Sequence, residues 1–133
     1  MTKFHYRKES SQISGSVLRP VADVLLEANN RLVEVVMYID SGADITMIPL
    51  EIGKALRLKQ NRDDEILEIR GVSGSGVPYL LKKANIILNG KKFKIRLAWA
   101  LIEEVPLLLG RMDIFPKFKI TFDEKKETIV FDK

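Results

Sequence analysis

Polar and apolar residues trade places at every second position through much of this chain. In Lys92–Leu97, the side chains of Phe93, Ile95 and Leu97 fall on one face and those of Lys92, Lys94 and Arg96 on the other. Phe118, Ile120 and Phe122 alternate in the same way with Lys117, Lys119 and Thr121. A period of two marks a half-buried strand, because successive side chains of a strand point to opposite faces. Val33–Ile39 breaks the alternation and is nearly all apolar. That predicts a central strand buried on both faces.

Turn signals separate these runs. Ala28-Asn29-Asn30-Arg31 joins Val21–Glu27 to Leu32–Ile39 as a hairpin, since Asn tolerates left-handed backbone. Asn89-Gly90, between Asn85–Leu88 and Lys92–Ala98, is the strongest hairpin signal in the chain. Ile66–Arg70 and Val77–Leu81 bracket Gly71-Val72-Ser73-Gly74-Ser75-Gly76, whose glycines predict a mobile hairpin tip. Asn61–Glu65 reads as a charged loop, and a last turn at Asp123–Lys126 precedes Thr128–Phe131. Helix is expected only in two short places. One is Pro49–Leu58, where proline suits the first turn and Gly53 weakens the helix. The other is Met112–Phe115. No linker, repeat or shift in composition divides the sequence. The expectation is a mostly-β chain forming one domain over residues 1–133, with residues 1–17 as a flexible N-terminal segment.

Composition narrows the function classes. At 46% apolar and 30% charged residues, the chain can close a hydrophobic core and is not of the disordered class. No apolar run approaches the ~18 to 20 residues of a membrane helix. Met1–Gln12 lacks the apolar region of a secretory signal, so no membrane association is expected. With no cysteine, disulfides and thiolate zinc sites are excluded, and a cytoplasmic location is the simplest expectation. The one histidine, His5, cannot build a multi-histidine metal site or a His-based triad alone. Net charge is +4, from lysines spread along alternating strand positions. That pattern fits a solvated basic face better than a nucleic-acid groove, and interleaved aromatics are missing.

The most informative stretch is Tyr38-Ile39-Asp40-Ser41-Gly42-Ala43-Asp44, followed by the apolar Ile45–Ile48. A buried apolar strand that ends directly in a carboxylate needs a partner or a purpose for that charge. Taken alone, Asp-Ser-Gly is commonly a turn or a helix cap. Downstream, however, Leu107-Leu108-Leu109 ends in Gly110-Arg111, and the glycine-rich hairpin lies between the two segments. Together and in this order, they resemble the retropepsin (retroviral-type) family of aspartic proteases, over roughly residues 18 to 122. The Pro49–Leu58 segment is more like cellular and microbial members than the minimal viral form.

The resemblance implies a small closed-barrel-like acid-protease fold with one or two short helices, functional as a two-fold dimer. It implies Asp40 as the catalytic carboxylate, Ser41 as the hydroxyl that locks two catalytic loops across the dimer, and Gly42 as the point of close backbone approach. Ala43 and Asp44 would meet substrate, as would Val72, Ser73 and Gly74 of a flap and Leu108 of the floor. Asp44 would also form a structural ion pair with Arg111, although in Arg111-Met112-Asp113 the following acid falls at an unusual place. Arg19-Pro20 resembles a family Arg-Pro pair whose arginine reaches across the dimer. The implied reaction is peptide hydrolysis by a water held between two carboxylates, without metal or other cofactor. The chain carries one Asp-Ser-Gly, so the second carboxylate would come from another copy. Two alternatives stay open: an inactive or regulatory peptide-binding module on the same fold, and a basic β-barrel that binds nucleic acid.

Overall fold

The computed structural model describes residues 1–70 and 76–133. The chain begins with three strands, β1 (Thr2–His5), β2 (Arg7–Ser11) and β3 (Gly15–Arg19). The segment expected to be flexible is thus built into sheets: β1 pairs with the C-terminal strand, and β2 and β3 form their own hairpin. Its alternation of Thr2, Phe4 and Tyr6 with Lys3, His5 and Arg7 satisfies strand period but is too short and too charged to be conspicuous in sequence.

Strands β4 (Val21–Ala28) and β5 (Arg31–Ile39) follow as a hairpin with full register from Val21↔Tyr38 to Ala28↔Arg31. Asn29 and Asn30 take φ of +51° and +61° in the turn, the left-handed pair that matches strand twist. Next come β6 (Thr46–Ile48), α1 (Leu50–Ala55), β7 (Leu67–Arg70), β8 (Gly76–Leu88) and β9 (Lys91–Ala100). The two-residue β10 (Leu108–Leu109), a 3-10 turn at Phe115–Lys117, β11 (Lys119–Asp123) and β12 (Thr128–Asp132) complete the chain.

Strands β4, β5, β10, β6, β9 and β8 lie side by side in that order. The β4–β8 pairing, Leu25↔Ile87 through Glu27↔Asn85, closes them into a barrel. Closure removes most free edges and encloses one core of Leu26, Met37, Ile48, Leu80, Ile95 and Leu97. At ~25 cal/mol per Å² of apolar area buried, each such leucine or isoleucine contributes about 1.5 to 3 kcal/mol. A second sheet, β1-β12-β11, packs on the barrel through aromatics. The Phe131 ring meets Phe4 and Phe118 edge-on at 5.5 Å, and Phe118 lies 5.9 Å from Phe93 of β9.

Three sequence expectations shift for physical reasons. First, Val77–Leu81 and Asn85–Leu88 are one strand, β8. The intervening Lys82 sits in core-facing register with Leu80 and Ala84, and its ammonium pairs with Asp64 at 2.7 Å. A charge at such a position is tolerable when it is paired. Second, α1 spans only six residues, because Arg57 turns left-handed at φ +55° while its N–H bonds Lys54 O. Gly53 is buried there, where an added Cβ would fall 2.0 Å from Trp99 Nε1, which itself donates to Leu50 O at 3.0 Å. Third, helix forms at Phe115–Lys117 rather than Met112–Phe115, since Asp113 stands at φ +67°.

Candidate active site

Asp40 lies where β5 leaves the barrel. Its N–H donates to Leu109 O at 3.0 Å, extending the parallel β5–β10 pairing by one residue. The chain then turns at once: Ala43 N–H reaches back to Asp40 O at 3.2 Å, and Gly42 N–H donates to Asp40 Oδ1 at 2.9 Å. This is an Asx turn, in which the carboxylate replaces a backbone acceptor. One carboxylate oxygen is therefore fixed, and among the described residues Asp40 Oδ2 accepts no hydrogen bond. A Cβ on Gly42 would approach Asp40 Oδ1 to 3.3 Å, so the glycine keeps that side of the carboxylate open.

The turn is braced from beneath by residues that follow β10. Arg111 N–H donates to Ala43 O and Met112 N–H to Asp44 O, both at 2.9 Å. Between them, the buried Gly110 N–H finds the Thr46 hydroxyl at 3.0 Å. An added Cβ at Gly110 would lie 2.4 Å from Ile45 C and O, so only glycine lets the two segments touch. Thr46 is fully buried, and in the sequence it stands inside an apolar run. A lone hydroxyl among Ile45, Met47 and Ile48 needs a hydrogen-bond partner, and that requirement was the available signal.

Asp40, Ser41, Gly42, Ala43 and Asp44 thus form one turn that meets the backbone of Leu109 and Arg111, while Leu108 pairs with Tyr38 just before it. The ion pair expected between Asp44 and Arg111 is not formed. Both side chains are exposed, and the acid two residues on takes an arginine elsewhere. Asp113 receives Arg96 through Nε and Nη2, both at 2.9 Å, and its Oδ2 also accepts Arg96 N–H at 2.8 Å. The paired guanidinium holds the Asp113 carboxyl down at about 2. The left-handed Asp113 aims its carboxylate at β9, while Arg111 binds the turn through its backbone alone. Val72, Ser73 and Gly74 lie outside the described residues.

Clefts open on both sides of the turn. One is bounded by Gly42, Ala43, Ile45, Met47, Tyr79 and Met112, and runs under the β7–β8 hairpin. The other receives Asp40 itself, with Glu9, Arg19, Tyr38, Pro106 and Leu108 around it. Leu108 lines both, so an extended chain laid across the turn would touch it from either side. Among the described residues no group of three or more His, Asp or Glu side chains is placed to hold a metal ion. None of the described helices is long and apolar enough to cross a membrane.

No protein-family model and no curated protein matches the sequence. Solved structures do match. The fold resembles that of the EIAV protease complexed with an inhibitor, with a TM-score of 0.56 and 25% identity over 82% of this chain and 93% of that one. It also resembles a retropepsin-like aspartic protease from Rickettsia conorii, with a TM-score of 0.63 and 18% identity over 97% of this chain and 98% of that one. The chain has the retropepsin fold, a mostly-β closed barrel with one short α-helix among the described residues, and both of these neighbours are proteases.

Proposed function

We propose that the protein is an aspartic endopeptidase that cleaves polypeptides as a homodimer, each copy contributing Asp40. The observation that carries this reading is the Asp40 carboxylate, with one oxygen fixed by Gly42 N–H and the other without a hydrogen bond among the described residues, facing a cleft at the end of a buried strand. Such an acid, held in place and left available, suits a reaction better than a structural role. The chain supplies one such turn, and a two-fold axis beside it brings an identical carboxylate into reach.

Two carboxylates at ~3 Å do not both ionise readily, so they share one proton. The ionised member takes a proton from the water between them while the protonated member donates to the peptide carbonyl oxygen. Water attacks the carbonyl carbon to give a tetrahedral diol. Proton transfer to the nitrogen then releases the amine, and the carboxylates return to their starting state. Substrate strands crossing the turn would add backbone hydrogen bonds of the sheet type.

The test compares the purified protein with an Asp40→Asn variant on a diverse peptide mixture between pH ~4 and 7. Cleavage by the first alone is the expected result. Equal cleavage by both, or none from a demonstrated dimer, would reject the assignment.

A further inference from the structure

The turn that carries Asp40 leads into β6, and β6 lies parallel to β9 from Thr46↔Leu97 to Ile48↔Trp99. Arg96, the residue of β9 just before that ladder, reaches the turn by a second route. It donates its N–H to Asp113 Oδ2 at 2.8 Å and its guanidinium to both carboxylate oxygens of Asp113, each at 2.9 Å. Asp113 directly follows Arg111 and Met112, whose N–H groups bond Ala43 O and Asp44 O at 2.9 Å. The Arg96 clamp is thus next in sequence to the two donors that hold the Asp40 turn from beneath.

Burial holds the same segment, but it does not aim it. Ile114 is fully buried and keeps the chain against the core. Apolar burial is non-directional and leaves open how the neighbouring N–H groups point. Three charge-assisted hydrogen bonds to one planar carboxylate do have direction. Asp113 stands at φ +67°, a conformation that persists only where the surroundings hold it. Its carboxyl is drawn down to about 2 by Arg96, so the clamp stays charged in acid solution. Asp113 lines neither cleft beside the turn, whereas Arg96 does line the one under the β7–β8 hairpin. Asp113 is therefore placed to act on the turn and not on a bound peptide.

We propose that Asp113 is a positioning residue for the reaction: clamped to Arg96, it sets the Arg111 and Met112 donors and, through them, the turn that presents Asp40. This rests on the endopeptidase reading. The arrangement does the work expected of an Asp44–Arg111 pair, with the acid and the arginine drawn from other positions in the chain.

The test measures kcat and KM separately for one cleaved peptide, on the full chain at a concentration where sedimentation shows the dimer. Asp113→Gly removes all three bonds and accepts the left-handed backbone without strain. It should lower kcat about tenfold with KM nearly unchanged, the scale of a small displacement of a reacting group. Asp113→Asn tolerates the same backbone and keeps an oxygen for Arg96 N–H, so it should recover part of that loss. It serves alone if the glycine variant does not fold. Glu27→Gln is the control. It breaks the Lys92 pair at 2.7 Å, of similar exposure, at the end of β4 remote from Asp40, and should leave kcat as it was. Hydrogen exchange should show the Arg111 and Met112 amides losing protection in the Asp113 variants while those of β4 and β5 keep theirs.

Parental kcat in the Asp113 variants, or unchanged exchange at Arg111 and Met112, overturns the proposal and leaves the endopeptidase reading intact. A rise in KM at constant kcat would make Asp113 a substrate contact and also overturns it. An equal fall in kcat for Glu27→Gln does the same, because it marks a general loss of stability. No cleavage by the unsubstituted dimer removes both readings together.

Discussion

Replacing Gly110 by alanine should damage this protein more than any other one-carbon addition near the site. Gly110 is not in the left-handed region of backbone space, so alanine meets no conformational strain there. The obstacle is contact. The new Cβ would lie 2.4 Å from Ile45 C and O and 2.8 Å from Thr46 N, all main-chain atoms of the segment that carries the Asp40 turn. Backbone on both sides must part, and overpacking of this kind costs roughly 1 to 3 kcal/mol. Separation also stretches the buried bond from Gly110 N–H to the Thr46 hydroxyl, and an unsatisfied pair costs about 1 to 3 kcal/mol more. Against this, alanine restricts the unfolded chain and returns about 0.4 to 1 kcal/mol. The net loss is about 3 kcal/mol, which for a domain of this size lowers the melting temperature by roughly 10 °C. Urea unfolding and calorimetry should be run in an Asp40→Asn background, so that self-cleavage cannot distort the curves. Gly90→Ala is the comparison, because Gly90 stands at φ +70° with open space around it and pays only backbone strain of ~1 to 2 kcal/mol. A Gly110→Ala protein as stable as its parent would refute the close-approach argument.

Asp113→Asn tests the pair that replaced the expected one. A carboxyl drawn down to about 2 by Arg96 stabilises the fold above its ordinary ionisation range and loses that contribution as pH falls through its folded value. With the Asp113 side chain 24% exposed and that of Arg96 47% exposed, solvent screening limits the effect to about 1 kcal/mol. The stability gap between parent and variant should be flat above pH ~5 and close between pH ~4 and ~2; a gap that persists at low pH contradicts the assignment. Phe131→Ala should cost about 3 to 5 kcal/mol, since the ring is fully buried and two other rings meet it edge-on. Hydrogen exchange should then show β1 and β11 losing protection before the barrel does, and uniform loss would argue against the second sheet as a separable unit.

Much of this architecture was legible because it depends on local chemistry. Asn29-Asn30 and Asn89-Gly90 announced their hairpins, since few residue pairs accept left-handed backbone twice in succession. The near-continuous apolar run to Ile39 announced a central strand, and a carboxylate directly after it announced the turn that became the candidate site. Features that depend on what approaches from elsewhere in the chain were not legible. Gly53 read as a flaw in a helix and proved to be the surface on which Trp99 lies. Lys82 falls between two segments that read as separate strands, and the Asp64 carboxylate beside it is what lets one strand run through. Asp113, not Asp44, took an arginine, because a left-handed residue aimed its carboxylate at β9. Glu9 accepts a hydrogen bond from Tyr38 and pairs with Arg19, residues about ten to thirty positions away, and no periodicity marks the cluster. Sequence alone determined most strands of the barrel, the hairpin turns between them and which acid stood at the end of the central one. Tertiary structure decided which charges would meet and which glycines were needed for contact, because those depend on distances set only when the barrel closes.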